Sequence, residues 1–189
     1  MRMVPTPSQT VGPFFAFGLT QGKACNPCIA GPDAKGERVR LICCVFDGDG
    51  VPIPDAMIEI WQADADGKYH HPDDPKSASA DPACLGFGRM GTAEDGTCMF
   101  ETIKPGRVPG PAGVLQFPHL NLALFARGLL KQLYTRVYFA NDPSNQEDPI
   151  LVLVPKERRN TLIAQLENDG RWRFEINLQG ERETVFFDV

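Results

Sequence analysis

The chain has 189 residues, 42% of them hydrophobic, so it is long enough to bury the core of a single domain. Its formal net charge is −5 and its 19 lysines and arginines are scattered, which excludes the clustered basic surface of nucleic-acid-binding proteins. No run approaches the roughly 18 apolar residues of a membrane-spanning helix, and prolines interrupt the N-terminal stretch, so we expect a cytoplasmic protein with six reduced cysteines.

The N-terminal segment, residues 5–17, reads PTPSQTVGPFFAF and combines three prolines with three phenylalanines. Proline lacks an amide proton and fixes φ, so this segment is expected to lie extended over a surface rather than inside a sheet. Residues 25–34 are expected to continue as a loop. We therefore divide the chain into an extended N-terminal arm and loop, residues 1–35, and one β-sandwich domain, residues 36–189.

Short apolar runs with turn residues between them predict about eight strands, among them residues 38–46, 57–63, 97–103, 133–139, 172–178 and 184–189. Two long irregular stretches separate them, and long loops of this kind tend to be functional. After Pro155, residues 156–167 predict the only helix, because Leu162, Ile163 and Leu166 form an apolar stripe. The expected fold is mainly β: an antiparallel β-sandwich with one short helix and long loops.

The strand pair predicted within residues 116–139 carries, in its first strand, one of only three histidines. Side chains two apart share a face of a strand, so His119 and Asn121 point one way while Leu120, Leu122 and Leu124 point the other. A His-x-His pair here would give two metal ligands on one face. The second position is Asn121, and a neutral amide oxygen is a poor substitute for imidazole on a transition metal.

Other polar clusters have simpler interpretations. Cys25 and Cys28 are spaced like a zinc ligand pair, but no second pair follows, so ordinary loop thiols are favoured. The acidic turns at residues 47–50 and 64–67 resemble part of a calcium loop, yet the remaining ligand positions do not match and turn chemistry is favoured. The adjacent histidines at residues 70–71 are expected to be solvated.

Five motifs together resemble the intradiol ring-cleaving dioxygenases over nearly the whole chain. They are PSQTVGPF (7–14), IEIWQADADGKY (58–69), GFGR (86–89), TIKPG (102–106) and GERETVFFDV (180–189). WQADADGKY (61–69) and KPG (104–106) are each weak alone and specific in combination. The resemblance implies oxidative cleavage of a catechol ring with dioxygen by a non-haem Fe(3+), which members of this family hold with two tyrosines and two histidines.

Carrying the motif over by position leaves the ligand set incomplete. Tyr69 falls on the first tyrosine and His119 on the first histidine, whereas Val108 and Asn121 stand at the second tyrosine and second histidine. The arginine that the family places three residues before its first histidine is Gln116. Two protein ligands are too few for a stable site, so no metal ligand and no catalytic residue is expected from this chain alone.

The resemblance also implies a partner. Some members of the family are hetero-oligomers of two homologous subunits, of which the beta subunit binds Fe(3+) and the alpha subunit forms one wall of the substrate pocket. By this resemblance the chain is the iron-free subunit of an enzyme converting 3,4-dihydroxybenzoate to 3-carboxy-cis,cis-muconate. Its substrate-binding residues would be Thr10, Gly12 and Pro13 from the arm, together with Arg127, whose guanidinium can bind a carboxylate.

Two alternatives stay open at this point. The chain could be a diverged intradiol dioxygenase that acts alone on another catechol, using Tyr69, His119 and a substitute ligand such as Tyr134 or His70. It could instead be a structural or binding β-sandwich that takes no part in turnover. The first alternative requires iron in the purified chain, and the second requires Arg127 to be dispensable for activity.

Overall fold

The computed structural model describes residues 9–110 and 113–188; residues 1–8 of the predicted arm lie outside this part. Within it the chain is mainly β, as expected. The strands are β1 (Arg38–Phe46), β2 (Met57–Trp61), β3 (Phe87–Gly91), β4 (Thr97–Ile103), β5 (Val108–Pro109), β6 (Leu115–Gln116), β7 (Leu120–Phe125), β8 (Leu133–Phe139), β9 (Ile163–Leu166) and β10 (Trp172–Asn177). The bounds predicted for β1, β4 and β8 are confirmed, whereas β2 ends two residues earlier than predicted.

Eight strands form one large sheet in the order β3-β2-β7-β8-β9-β10-β1-β4, and β5 pairs with β6 separately. Its two halves pack face to face on one apolar core, as in a β-sandwich. Leu120, Leu122 and Leu124 of β7 all point into this core, as the alternation of the sequence predicts. The pairing is mostly antiparallel, but β8 with β9 and β10 with β1 run parallel.

The segment predicted as a loop after the arm closes the gap between the two edge strands. The amide of Asn26 donates to the carbonyl of Arg89 in β3 at 2.8 Å, and the amide of Ile29 donates to the carbonyl of Glu101 in β4 at 2.8 Å. Unpaired strand edges invite aggregation, and this segment covers both edges.

The arm is not extended throughout, and this part of the prediction is wrong. Residues Pro13–Leu19 form a short helix, α1, which Gly12 precedes in an extended conformation. A proline at the start of a helix costs nothing, because the amide proton it lacks has no partner in the first turn. The helix lies on the sheet, where the ring of Phe15 packs 5.5 Å from that of Phe125.

The prediction of one helix over residues 156–167 is also wrong, both in the type of helix and in its length. Residues Lys156–Leu162 form a 3-10 helix, after which β9 starts, so Leu162 is buried whereas Leu166 is 53% exposed. Residues 163–166 pair with β8 and β10, and this long-range pairing overrides an apolar spacing that also fits a helix. No helix in the described ranges is long and apolar enough to cross a membrane.

The last predicted strand, residues 184–189, is reduced to one isolated bridge between Tyr134 and Phe187, and Val189 lies outside the described residues. The strand predicted across the turn, residues 172–178, is found as β10 and ends one residue earlier than predicted. A single bridge places the C-terminal segment beside β8 without extending the sheet.

A tight contact between two loops positions the site. Gly67 has φ +74°, and a Cβ at this position would lie 1.8 Å from the carbonyl oxygen of Arg107. The amide of Gly106 donates to the carbonyl of Asp64 at 2.8 Å. The carboxylate of Asp64 accepts from the amides of Asp66 and Lys68, so this turn uses its acid for backbone hydrogen bonds, as favoured over a calcium site. The two motifs that carry Tyr69 and Val108 are therefore held against each other.

Candidate functional site

The four positions that the motif assigns to metal ligands cluster at one end of the outer face of β2, β7 and β8. Asn121 is paired with Trp61 on one side and with Arg136 on the other. The ring of Tyr69 stacks on that of Trp61, with centroids 5.7 Å apart and planes 9° from parallel. Burial raises the pKa of the Tyr69 hydroxyl, although the charge of Arg136 and a hydrogen bond from Asn121 oppose the shift.

His119 is buried just before β7, with 5% of its surface exposed. Its Nδ1 lies 2.7 Å from the carbonyl oxygen of Phe117, which requires the proton on Nδ1. Burial, together with the nearby charge of Arg136, lowers the pKa of His119 to about 4. The imidazole is therefore neutral at physiological pH and is fixed in one tautomer.

Val108 lies in β5, directly opposite Gln116 in β6, and is buried. Its side chain offers no donor atom. The Gln116 side-chain oxygen accepts a hydrogen bond from Nη1 of Arg136 at 2.6 Å. Gln116, which stands where the family motif has an arginine, thus holds an arginine supplied by another strand.

Arg136 is the residue that sequence reasoning missed. Besides its bond to Gln116, its guanidinium lies near the hydroxyl of Tyr138, and its charge acts on the pKa of both His119 and Tyr69. The side chain of Arg136 therefore lies close to Asn121, Tyr69 and His119. Arg136 is the only charged residue of β8, and this was the only feature of the sequence that could have pointed to it. A lone arginine in a strand does not by itself indicate a functional site.

These residues do not fit a ferric ion. Two of the four positions, Val108 and Asn121, carry no ligand suited to it, because valine has no donor atom and a neutral amide is a poor ligand for a transition metal. The guanidinium of Arg136 adds a positive charge that weakens cation binding here, although the family motif also places an arginine near its ligands.

A buried carboxylate, Asp148, stabilises the segments that carry His119 and Arg136. Asp148 is fully buried and accepts hydrogen bonds from the hydroxyl of Tyr138 at 2.9 Å and the amide of Phe117 at 2.8 Å. It also caps the segment that follows it, accepting from the amide of Leu151 at 2.8 Å. Asp148 thereby fixes the backbone at Phe117, two residues before His119.

The remaining candidates from the sequence lie at the surface. His71 meets Trp61 edge-on at 5.7 Å and has Nδ1 3.6 Å from Asp73, while His70 is exposed. A cavity of about 390 Å³ opens in front of Trp61 and Tyr69. The hydroxyl of the exposed Tyr134 accepts a hydrogen bond from the side chain of Gln132 at 2.8 Å. All six cysteines, including both members of the Cys-x-x-Cys pair, are free thiols.

A second cluster forms where the arm meets the end of β7. The hydroxyl oxygen of Thr10 accepts a hydrogen bond from the amide of Gly128 at 2.9 Å. The neighbouring Arg127 has Nε 2.7 Å from Oδ2 of Asp55. The structure thus places Thr10 beside the turn that carries Arg127, although the two lie more than a hundred residues apart in the chain.

Gly12 and Pro13 continue this cluster along the arm. A Cβ added at Gly12 would meet nothing within 4 Å, so the backbone is open to a ligand or a partner on that side. Pro13 begins α1. A cavity of about 270 Å³ lies between the arm and the turn after β7, lined by Val11, Phe15 and Leu130 among others.

Comparison with known proteins shows the family of the chain. A family model described as dioxygenase, Dioxygenase_C, matches residues 11–180. The protocatechuate 3,4-dioxygenase alpha chain of Burkholderia cepacia is 43% identical over 198 residues, covering 97% of each chain. The beta chain of the same organism is 34% identical over 158 residues, covering 79% of this chain and 67% of that one.

A solved structure shows the same fold. The dioxygenase domain of a dioxygenase carbohydrate-binding protein fusion from Streptomyces sp. SirexAA-E superposes with a TM-score of 0.62 at 22% identity, covering 96% of this chain and 100% of that chain. The fold, the motif positions and the similarity over almost the full length agree. The chain belongs to the intradiol dioxygenase family, and it is closely similar to protocatechuate 3,4-dioxygenase alpha chains.

Proposed function

We propose that the chain is the iron-free alpha subunit of a protocatechuate 3,4-dioxygenase. Intradiol dioxygenases use Fe(3+), and in this proposal the ion is bound by a homologous beta subunit. The complex would cleave 3,4-dihydroxybenzoate with dioxygen between its two hydroxylated carbons, giving 3-carboxy-cis,cis-muconate. The observation that carries the proposal is the remnant site, where Val108 and Asn121 replace donors and the guanidinium of Arg136 supplies a positive charge.

Similarity to both chain types supports the partner. The chain resembles an alpha chain over 97% of its length and a beta chain over 79%, as expected for one of two homologous subunits. Large apolar side chains are exposed beside the arm, with Phe17 63% and Leu130 65% accessible. Exposed apolar surface of this kind marks interfaces, and we infer that the partner covers it in a higher-order αβ oligomer.

The arm and the turn after β7 are the substrate wall in this proposal. Thr10 is bonded to Gly128, the residue after Arg127, and Gly12 and Pro13 follow Thr10 closely in the chain. The guanidinium suits the carboxylate of 3,4-dihydroxybenzoate, since it offers parallel donors to both oxygens. The bare backbone at Gly12 allows a flat ring to approach closely. A cytoplasmic location belongs to the same proposal, and six free cysteines are consistent with it.

The test is Arg127→Ala in the complex purified with its beta homologue. Losing a charge-assisted contact with a carboxylate is expected to lower kcat/KM for 3,4-dihydroxybenzoate by about 10- to 100-fold, with little change in the melting temperature. The control is Arg171→Ala, which removes another exposed, ion-paired arginine at the turn between β9 and β10. Unchanged kinetics for Arg127→Ala would favour a purely structural chain.

A separate measurement tests the stand-alone enzyme. The chain expressed without its partner is expected to be colourless and free of iron after purification in ferric medium. Bound iron with a burgundy tyrosinate-to-iron absorption, and ring cleavage by the chain alone, would contradict the proposal. The complex, measured in parallel, serves as the positive control for both signals.

A further inference from the structure

Asp55 and Arg127 face each other just beyond the end of the β2–β7 ladder. Met57 pairs with Phe125 at the last position of that ladder, and the two residues lie two positions further out on their respective chains. Their side chains meet, with Nε of Arg127 2.7 Å from Oδ2 of Asp55. The register of two core strands therefore fixes which carboxylate Arg127 meets.

The backbone of Asp55 is in an uncommon conformation that its neighbours hold in place. Its φ is +63°, in the left-handed region that side chains other than glycine rarely adopt. Thr92 fixes the segment on both sides, accepting from the amide of Ala56 at 3.0 Å and donating to the carbonyl of Ile53 at 2.8 Å. A strained conformation held this way is a reason to look for a role in function.

The stability of the chain does not account for this arrangement. The side chains of Arg127 and Asp55 are 74% and 40% exposed. An ion pair with this much exposure to water contributes little to the stability of the fold. Holding Asp55 in a left-handed conformation also carries a cost. What the pair does provide is a defined position for a long side chain that would otherwise sample many rotamers.

We propose that Asp55 is a positioning residue for Arg127, an inference that rests on the proposed function. Asp55 holds the Nε edge of the guanidinium and leaves the terminal Nη groups for the carboxylate of 3,4-dihydroxybenzoate. A guanidinium has five donor hydrogens, so one carboxylate oxygen at Nε does not exhaust them. Fixing the side chain before binding removes the cost of ordering it when the substrate arrives.

Two substitutions separate positioning from backbone effects. Asp55→Gly removes the carboxylate and keeps a residue that tolerates positive φ, so the turn is not strained. Asp55→Asn keeps an oxygen next to Nε and also tolerates this conformation. Thermal unfolding of each complex checks that the fold is retained.

The measurement is anaerobic binding to the intact complex, which reports affinity without turnover. The probes are 3,4-dihydroxybenzoate and its uncharged analogue 3,4-dihydroxybenzamide. Asp55→Gly should weaken benzoate binding by about 3- to 10-fold relative to the amide, the equilibrium equivalent of ordering one long side chain. Asp55→Asn should recover most of this loss, and Asp55→Gly should have no further effect when Arg127 is already alanine.

The outcomes distinguish this inference from the proposal beneath it. If Arg127→Ala weakens benzoate binding while Asp55→Gly leaves it unchanged or tightens it, Asp55 is a competitor or a bystander and the positioning role is overturned. An additive loss in the double variant would also overturn it, because Asp55 would then act independently of Arg127. If Arg127→Ala itself has no effect on either probe, the pocket wall and the positioning role both fail.

Discussion

Asn121 and Arg136 are paired across the β7–β8 ladder, so the residue that replaces the second histidine lies directly beside the cation of the remnant site. The same guanidinium donates to Gln116, which is itself opposite Val108. The two positions that lack a ligand, Asn121 and Val108, therefore both lie next to the Arg136 side chain or to the residue it bonds. A metal-binding geometry with a cation among the ligand positions is doubly disfavoured.

This arrangement predicts that restoring the ligand types alone will restore iron binding only in part. The double variant Val108→Tyr with Asn121→His is expected to take up little ferric iron, because Arg136 still places a positive charge at the site. Adding Arg136→Gln should raise iron affinity by about tenfold or more, since a nearby like charge is removed. Metal analysis and visible absorption of the folded fractions measure this; equal uptake with and without Arg136→Gln would contradict it.

The bond between Thr10 and Gly128 predicts a kinetic effect that exceeds its effect on stability. Thr10→Val keeps the shape of the side chain and removes the acceptor, which loosens the arm from the turn of Arg127. Because small misplacements of binding groups are costly, kcat/KM of the complex should fall by about tenfold, while stability changes by less than about 0.5 kcal/mol. Thr10→Ser retains the hydroxyl and should behave like the unmodified chain. Equal kinetics for the valine and serine variants would rule this out.

His119 predicts a loss of stability in mild acid. Its pKa is about 4 in the folded chain against an ordinary value of 6.5, so between these values the unfolded state binds more protons than the folded state. Stability should therefore fall by up to about 3 kcal/mol as the pH drops from 6.5 to about 4. Above pH 6.5 this loss is absent, because His119 is neutral in both the folded and the unfolded state. Urea unfolding across this range measures the slope.

Two histidine variants test this prediction, one at the buried His119 and one at the exposed His70. His119→Gln should flatten the slope between pH 4 and 6.5, even though it lowers stability by leaving the carbonyl of Phe117 without its partner. His70→Asn removes an exposed histidine and should leave the slope unchanged. A slope that survives in His119→Gln would mean that another group titrates there.

Gly67 predicts a large loss of stability on a single methyl addition. Gly67→Ala places a Cβ 1.8 Å from the carbonyl oxygen of Arg107 at φ +74°, so one of the two motif loops must move. We expect a loss of more than about 4 kcal/mol or failure to fold. Gly50→Ala has a similar φ, +77°, with nothing within 4 Å, and should cost only about 1 kcal/mol. Denaturant unfolding compares them; similar losses would show that the contact with Arg107 is unimportant.

Local patterns predict the strands well and the helices poorly. β1, β4 and β8 follow from alternating apolar residues between turn residues, and both signals are contained in the segment itself. The apolar spacing at residues 156–167 fits a helix, but β9 is decided by neighbours in β8 and β10 that lie far away in the sequence. The helix at Pro13–Leu19 escaped prediction because its single proline, Pro13, suits an extended arm as well as the first turn of a helix.

The sequence by itself determined what the remnant site cannot do. Val108 has no donor atom in any conformation, so its presence at a ligand position is informative without coordinates. Only the tertiary structure decided what takes the place of the missing ligands and what holds Arg127. Arg136 reaches the site, and Asp55 meets Arg127, because strand register brings distant side chains together, and register is a property of the assembled sheet rather than of any single segment.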